Sequence, residues 1–209
     1  MFKIFFLATI LLLTKSSLFG QASKEDYQVY SAIIKTEISD GTKSVAIIKK
    51  GINSRKATEN IYSTADMLSS NNMNYKYQIY FWTEDYDKAR PSIIDSSGAR
   101  LIIDYCNSNA DKFILTNDFN CNYKTILIRK FPIRQKSIQQ DWKRFYGKYP
   151  GFGGIFSLSK IKYYTGENKT AIVYYWVRRN PLNGHGALAY MTKINGEWQI
   201  KYKTYLWWN

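Results

Sequence analysis

The sequence predicts an α+β fold, with an N-terminal helix and a mixed region followed by a four-strand C-terminal antiparallel meander packed by helices. Three observations carry this. Tyr27, Tyr30, Ile33, Ile34 and Ile38 recur at helical spacing. Runs of strand length occupy residues 156–163, 169–177, 187–194 and 198–206. Asn195-Gly196, set between the last two runs, is the strongest short hairpin signal available.

Taken in order, Met1-Phe2-Lys3 and the apolar run over residues 4–13 form a charged start and a short hydrophobic region. Ten residues rising about 1.5 Å each are too few to span a bilayer but suit a secretory signal. Small residues at Gly20 and Ala22 place the cut after Ala22, with a cut after Gly20 as the other option, so residues 1–22 read as a signal peptide and residues 23–209 as a single exported domain. Ser23 and Asp26 then resemble a capping box opening an amphipathic helix over 24–38, which Asp40-Gly41 ends. The β-branched stretch 44–49 reads as a strand. Residues 53–74 are polar and asparagine-rich, with at best a helix over 58–68. Alternation over 75–82 predicts a strand, and Pro91 opens a helix running to about residue 106. Strands at 112–115 and 123–129 and a helix over 137–146 lead into the C-terminal runs. There, residues 180–186 read as a loop. In the last run Trp198, Ile200, Tyr202, Thr204 and Leu206 share one face and Gln199, Lys201 and Lys203 the other, which predicts one buried and one wet or ligand-facing side.

Composition narrows the function. The 209 residues carry a net charge of +14, and one histidine with two cysteines excludes most metal sites and dense disulfide scaffolds, so neither a metal nor a cofactor is expected. Cys106 and Cys121 suit an oxidising compartment, and a bridge between them would contribute about 3 kcal/mol by the chain-entropy argument. Residues 23–105 are electrically balanced, whereas residues 106–209 hold seventeen basic and five acidic side chains. The densest stretch contains Lys124, Arg129, Lys130, Arg134, Lys136, Lys143, Arg144 and Lys148, interleaved with Phe131, Trp142, Phe145, Tyr146 and Tyr149. Cations neutralise phosphates and aromatics stack on bases or sugars, so Arg129, Lys130, Arg134, Lys143 and Arg144 are candidates for an anionic envelope component, glycan or nucleic acid. The same tally also describes a merely lysine-rich surface.

His185, the only histidine, lies in Asn183-Gly184-His185-Gly186, where a general base would be presentable. No Gly-x-Ser-x-Gly elbow, no His-Glu-x-x-His and no acid in the local sequence supports it. Glu84, Asp85, Asp87, Asp95 and Asp104 sit among Lys88, Arg90 and Arg100, and no spacing singles out a catalytic pair. Gly151-Phe152-Gly153-Gly154 lacks the Lys-Ser/Thr of a phosphate loop and reads as a tight turn. Asn168-Lys169-Thr170 matches the glycosylation triplet but is equally a hairpin turn.

Trp142-Lys-Arg-Phe145-Tyr146-x-x-Tyr149-Pro150-Gly151, Ser157-Leu158-Ser159, Gly196-x-Trp198-x-Ile200 and Leu206-Trp207, with Tyr27-x-Val29-Tyr30-Ser31-Ala32-Ile33-Ile34, resemble an uncharacterised family of exported bacterial proteins. The resemblance implies an extracytoplasmic α+β domain and brings no catalytic residue. The Gly-x-Trp-x-Ile ending also resembles NTF2-like domains. The expected role is a periplasmic or secreted basic domain, non-enzymatic or envelope-associated, with an anionic partner and no transmembrane segment in the mature chain. The alternative is a small extracytoplasmic hydrolase using His185 with an acidic residue.

Overall fold

A computed structural model describes residues 20–52, 101–102, 104–105, 108, 113–166 and 169–208. The hydrophobic run at 4–13, the strand expected at 75–82 and the helix start at Pro91 lie outside the described residues, although Leu101, Ile102, Asp104 and Tyr105 are helical.

Helix α1 (Lys24–Glu37) starts as its sequence dictates. Ser23 Oγ accepts the Asp26 amide at 3.1 Å and Asp26 Oδ2 accepts the Ser23 amide at 2.7 Å, so two amides at the helix start are satisfied reciprocally. Ile38 adopts extended backbone, and Gly41, at φ +83°, turns the chain into β2 (Ser44–Ile48). A short parallel pair is made by β1 (Gly20–Gln21) and β3 (Phe113–Ile114). Strand β4 (Lys124–Ile128) precedes a 3-10 turn (Gln135–Ser137) and helix α2 (Ile138–Lys148). Strands β5 (Phe152–Leu158), β6 (Lys162–Tyr164), β7 (Thr170–Asn180), β8 (Asn183–Ile194) and β9 (Glu197–Trp208) complete the chain.

The main sheet runs β4-β2-β5-β7-β8-β9, with β6 also paired to β7. Strand β2 lies parallel between β4 and β5, so β4, α2 and β5 form a crossover of the kind parallel strands require. From β5 to β9 the pairing is antiparallel. The fold is α+β with a mixed sheet. Both faces are covered. Tyr30, Ile33 and Ile34 of α1 pack with Val45, Ile47, Phe156, Val173 and Met191. On the opposite face Trp142 and Phe145 of α2 meet Ala46, Ile48 and Ile155, while Ile102 and Tyr105 cover Ile172, Tyr174 and Leu188.

Three details differ from the sequence expectation, each with a local cause. The run 156–163 is two strands, with the break just after Ser159: its amide still donates to the Tyr174 carbonyl at 2.9 Å, but its carbonyl accepts the Tyr30 hydroxyl at 2.8 Å and its hydroxyl meets that of Tyr105 at 2.5 Å. Residues 180–186 are not a loop. Only Pro181 and Leu182 lie between β7 and β8, and the glycines serve cross-strand packing: a Cβ on Gly186 would stand 2.1 Å from Trp207 Nε1 and 2.6 Å from Tyr174 Oη. The third difference is in β9. Met191 pairs with Ile200 and Tyr190 with Tyr202, leaving Lys201 as a one-residue bulge. Trp198 and Ile200 therefore face α1, whereas Tyr202 and Leu206 face the other side and Lys203, expected to be wet, turns towards α1.

Candidate functional site

Among the described residues, the largest concentration of buried charge lies where α1 ends against the sheet. Glu37 falls one helical turn beyond Ile33 and Ile34, on the stripe that packs inward, and is 7% exposed. Lys203 Nζ donates to its Oε1 at 3.0 Å and the Tyr175 hydroxyl donates to the same oxygen at 2.5 Å. Arg179 Nη2 donates to Oε2 at 3.0 Å and also to the main-chain carbonyl of Glu37, capping the last turn of α1. His185 Nε2 lies 3.1 Å from Oε2, with its ring edge-on to Tyr205 at 4.9 Å between centroids. Strand β7 thus supplies Tyr175 and Arg179, β8 supplies His185, and β9 supplies Lys203 through its bulge.

The electrostatics follow from this geometry. Burial alone would raise the Glu37 carboxyl, but hydrogen bonding to His185, the Lys203 charge and the Tyr175 hydroxyl outweigh it and hold the group well below the ordinary carboxylate range. Burial would lower the Lys203 ammonium, and the Glu37 charge outweighs that, keeping it above the ordinary lysine value. Burial, then the Glu37 charge, pushes the Tyr175 phenol well above its ordinary value, so it remains a donor. The sequence placed His185 on an open loop without an acid. Instead it is a β8 residue, 4% exposed, beside a carboxylate brought from 148 positions away. A cleft of about 560 Å³ opens elsewhere, between α1 and the β8–β9 turn, lined by Gln28, Lys35, Asn120, Trp198 and Gln199 among others, and neither Glu37 nor His185 lines it.

The basic candidates lie on the β4–α2 side. Arg129, Lys130, Lys143 and Arg144 are exposed, whereas the aromatics interleaved with them divide: Trp142 and Phe145 are core, and Tyr146 is exposed. Stacking surface is correspondingly reduced. Asp141 gathers Arg134 at 3.2 Å and Arg144 at 3.8 Å, and it also accepts the Ser137 hydroxyl and the Arg134 amide. Hydrogen bonding to Arg134, first through its side chain, holds the Asp141 carboxyl well below the ordinary range. The parallel register pairs Ile48 with Ile128, which brings Lys49 and Lys50 to the same sheet end as Arg129 and Lys130. All four are exposed and make no ion pair among the described residues. Sequence reading missed Lys49 and Lys50 because the strand pairing that adds them to the stretch is not local.

Cys121 is half-buried with no disulfide partner among the described residues, and Cys106, the partner expected from the sequence, lies outside them. So do Glu84, Asp85, Asp87 and Asp95, while Asp104 is engaged by Lys162 at 2.6 Å. Gly151, at φ +70°, is a turn residue as expected, but Phe152, Gly153 and Gly154 belong to β5. Among the described residues no group of three or more His, Cys, Asp or Glu side chains is arranged to hold a metal, and no helix is long and apolar enough to cross a membrane. Comparison with protein-family models, curated proteins and solved structures finds no match to this chain.

Proposed function

We propose that this chain is an exported, envelope-associated binding domain whose partner is anionic. The observation that carries the reading is the cationic sheet end of Lys49, Lys50, Arg129 and Lys130, to which Lys143 adds charge on α2. Arg134 and Arg144 are secondary contributors, because Asp141 already satisfies part of their charge. Four cations on neighbouring strands, with no ion-pair partner among the described residues, favour phosphate, sulfate or carboxylate groups and make the affinity salt-dependent. The testing experiment is a binding panel of lipopolysaccharide, acidic glycan, DNA and anionic vesicles at low and high salt. Arg129→Glu/Lys130→Glu should weaken whichever interaction is found. Failure of every anion at low salt, or indifference to the charge reversal, returns the surface to a solubility role.

Export and the Cys106–Cys121 bridge belong to the same reading and rest on the signal-like N-terminus and the even number of cysteines. Intact mass of the chain from its host, with and without reduction, tests both.

A second reading is favoured by the 3.1 Å approach of His185 to Glu37, the pairing a hydrolase of this kind requires. Against it, both groups are buried, the carboxylate is already shared among Lys203, Arg179 and Tyr175, and the cleft lies elsewhere. We assign the cluster a structural role. Loss of a hydrolytic activity in His185→Ala, with the fold retained, would reverse that assignment.

A further inference from the structure

We infer that the opposite end of the sheet, centred on the β7–β8 turn, docks on an anionic lipid surface. Leu182 occupies the tip of that two-residue turn and is 83% exposed, against 37% for Tyr146 and 46% for Ile194. A single exposed apolar side chain is ordinary on a soluble surface. What distinguishes this one is its surroundings. The register places Arg178 opposite Gly184 and Ile155, and Ser44 opposite both Phe152 and Lys124, so the turn, the start of β2 and the start of β4 lie at one end of the sheet.

That end is cationic. Lys43 donates its amide to the Gly151 carbonyl at 2.8 Å, and Lys124 donates its amide to the Lys43 carbonyl at 3.0 Å, so both side chains stand on adjacent strands. Lys148, three residues before Gly151, ends α2 there, and Arg178 and Arg179 precede the turn. Asp40 is an exposed acid nearby, and Glu37 is already neutralised within the fold. Strands spaced about 4.8 Å apart spread these cations over roughly 15 Å, a headgroup-scale array. Tyr146 donates its hydroxyl to the Arg179 carbonyl, tying α2 to the strand beneath the tip and leaving an amphipathic ring at interfacial depth. An apolar tip flanked by cations matches a bilayer, whose acyl boundary takes Leu182 while the phosphates meet the exposed Lys43, Lys124 and Lys148. A hydrated polyanion would use the cations and gain nothing from the leucine.

The surface lies at the other end of the strands from Lys49, Lys50, Arg129 and Lys130, so variants separate the two. Co-sedimentation of the processed chain with phosphatidylcholine vesicles, with and without phosphatidylglycerol, is the test. Wild type is expected on the anionic vesicles only, and 1 M salt should release most of it. Leu182→Ser, at a site too exposed to matter for folding, should lower partitioning by about tenfold, Lys124→Glu/Lys148→Glu should abolish it, and Arg129→Glu/Lys130→Glu should leave it largely unchanged. Equal binding of wild type and Leu182→Ser overturns the inference. So does binding to soluble polyanions without binding to vesicles, an outcome that leaves the proposed function standing.

Discussion

Glu37 illustrates how a single residue can be essential to a fold without being chemically available. Removing it strands Lys203 and Arg179 beside one another in a site with little water, and breaking a buried pair in this way costs about 3–5 kcal/mol. Glu37→Ala should therefore unfold at markedly lower urea, while Lys203→Met should cost less, because Arg179 and the neighbouring hydroxyl still satisfy the carboxylate. The pH dependence has a definite sign. Glu37 is depressed below its ordinary 4.5 in the folded chain, so its contribution is complete above that value and is lost as pH falls towards the folded value. Lys203 is raised above 10.5, so its contribution is complete below that value and is lost on the alkaline side. Urea melts of wild type and Glu37→Gln across the acid range should converge as pH falls below 4.5; parallel curves would mean that Glu37 does not titrate with folding. The sequence reading did not single out Glu37, although it falls one turn beyond Ile33 and Ile34 on the inward stripe. Its partners were not legible either, because Tyr175, Arg179 and His185 are brought in by strand pairing.

At the scale of elements, local patterns were legible wherever a single segment decided the outcome. The capping box at Ser23 and Asp26, the β-branched β2 and the Asn195-Gly196 turn all form as read, the turn with φ of +50° and +86° at its two central residues. Alternation failed where a bulge intervened. Lys201 shifts the side chains over 202–205 to the opposite face until a second register shift at Leu206, and nothing in period-two patterning announces a skipped pair. Deleting Lys201 should accordingly be tolerated, because Tyr202 and Lys203 keep their faces. Inserting one alanine after Tyr202 should be severe, because Lys203 then leaves Glu37. Thermal melts of both variants test this, and an equal loss in both would contradict the bulge. The glycines of β8 invited a loop reading for a similar reason. Gly186→Ala should cost about 1–3 kcal/mol by forcing Trp207 and Tyr174 apart, with the strand otherwise intact.

For the whole molecule, the charge asymmetry between residues 23–105 and 106–209 becomes spatial once the strands are assembled. Lys49 and Lys50, from the balanced half, join Arg129 and Lys130 from the basic half only because β2 and β4 run parallel in register. Meanwhile the sheet face opposite α1 buries Trp142 and Phe145, two of the five aromatics that the sequence had offered as a stacking surface, and leaves Tyr146 exposed. What the sheet end of Lys49, Lys50, Arg129 and Lys130 offers a macromolecular partner is charge. The most direct test is the salt dependence of affinity for the best anion in the panel, measured on wild type and on Arg129→Glu/Lys130→Glu. The account predicts an affinity that falls steeply with salt, on a logarithmic slope reduced by about two in the double variant as two phosphate contacts are lost. A salt-independent affinity, or an unchanged slope in the variant, would contradict it.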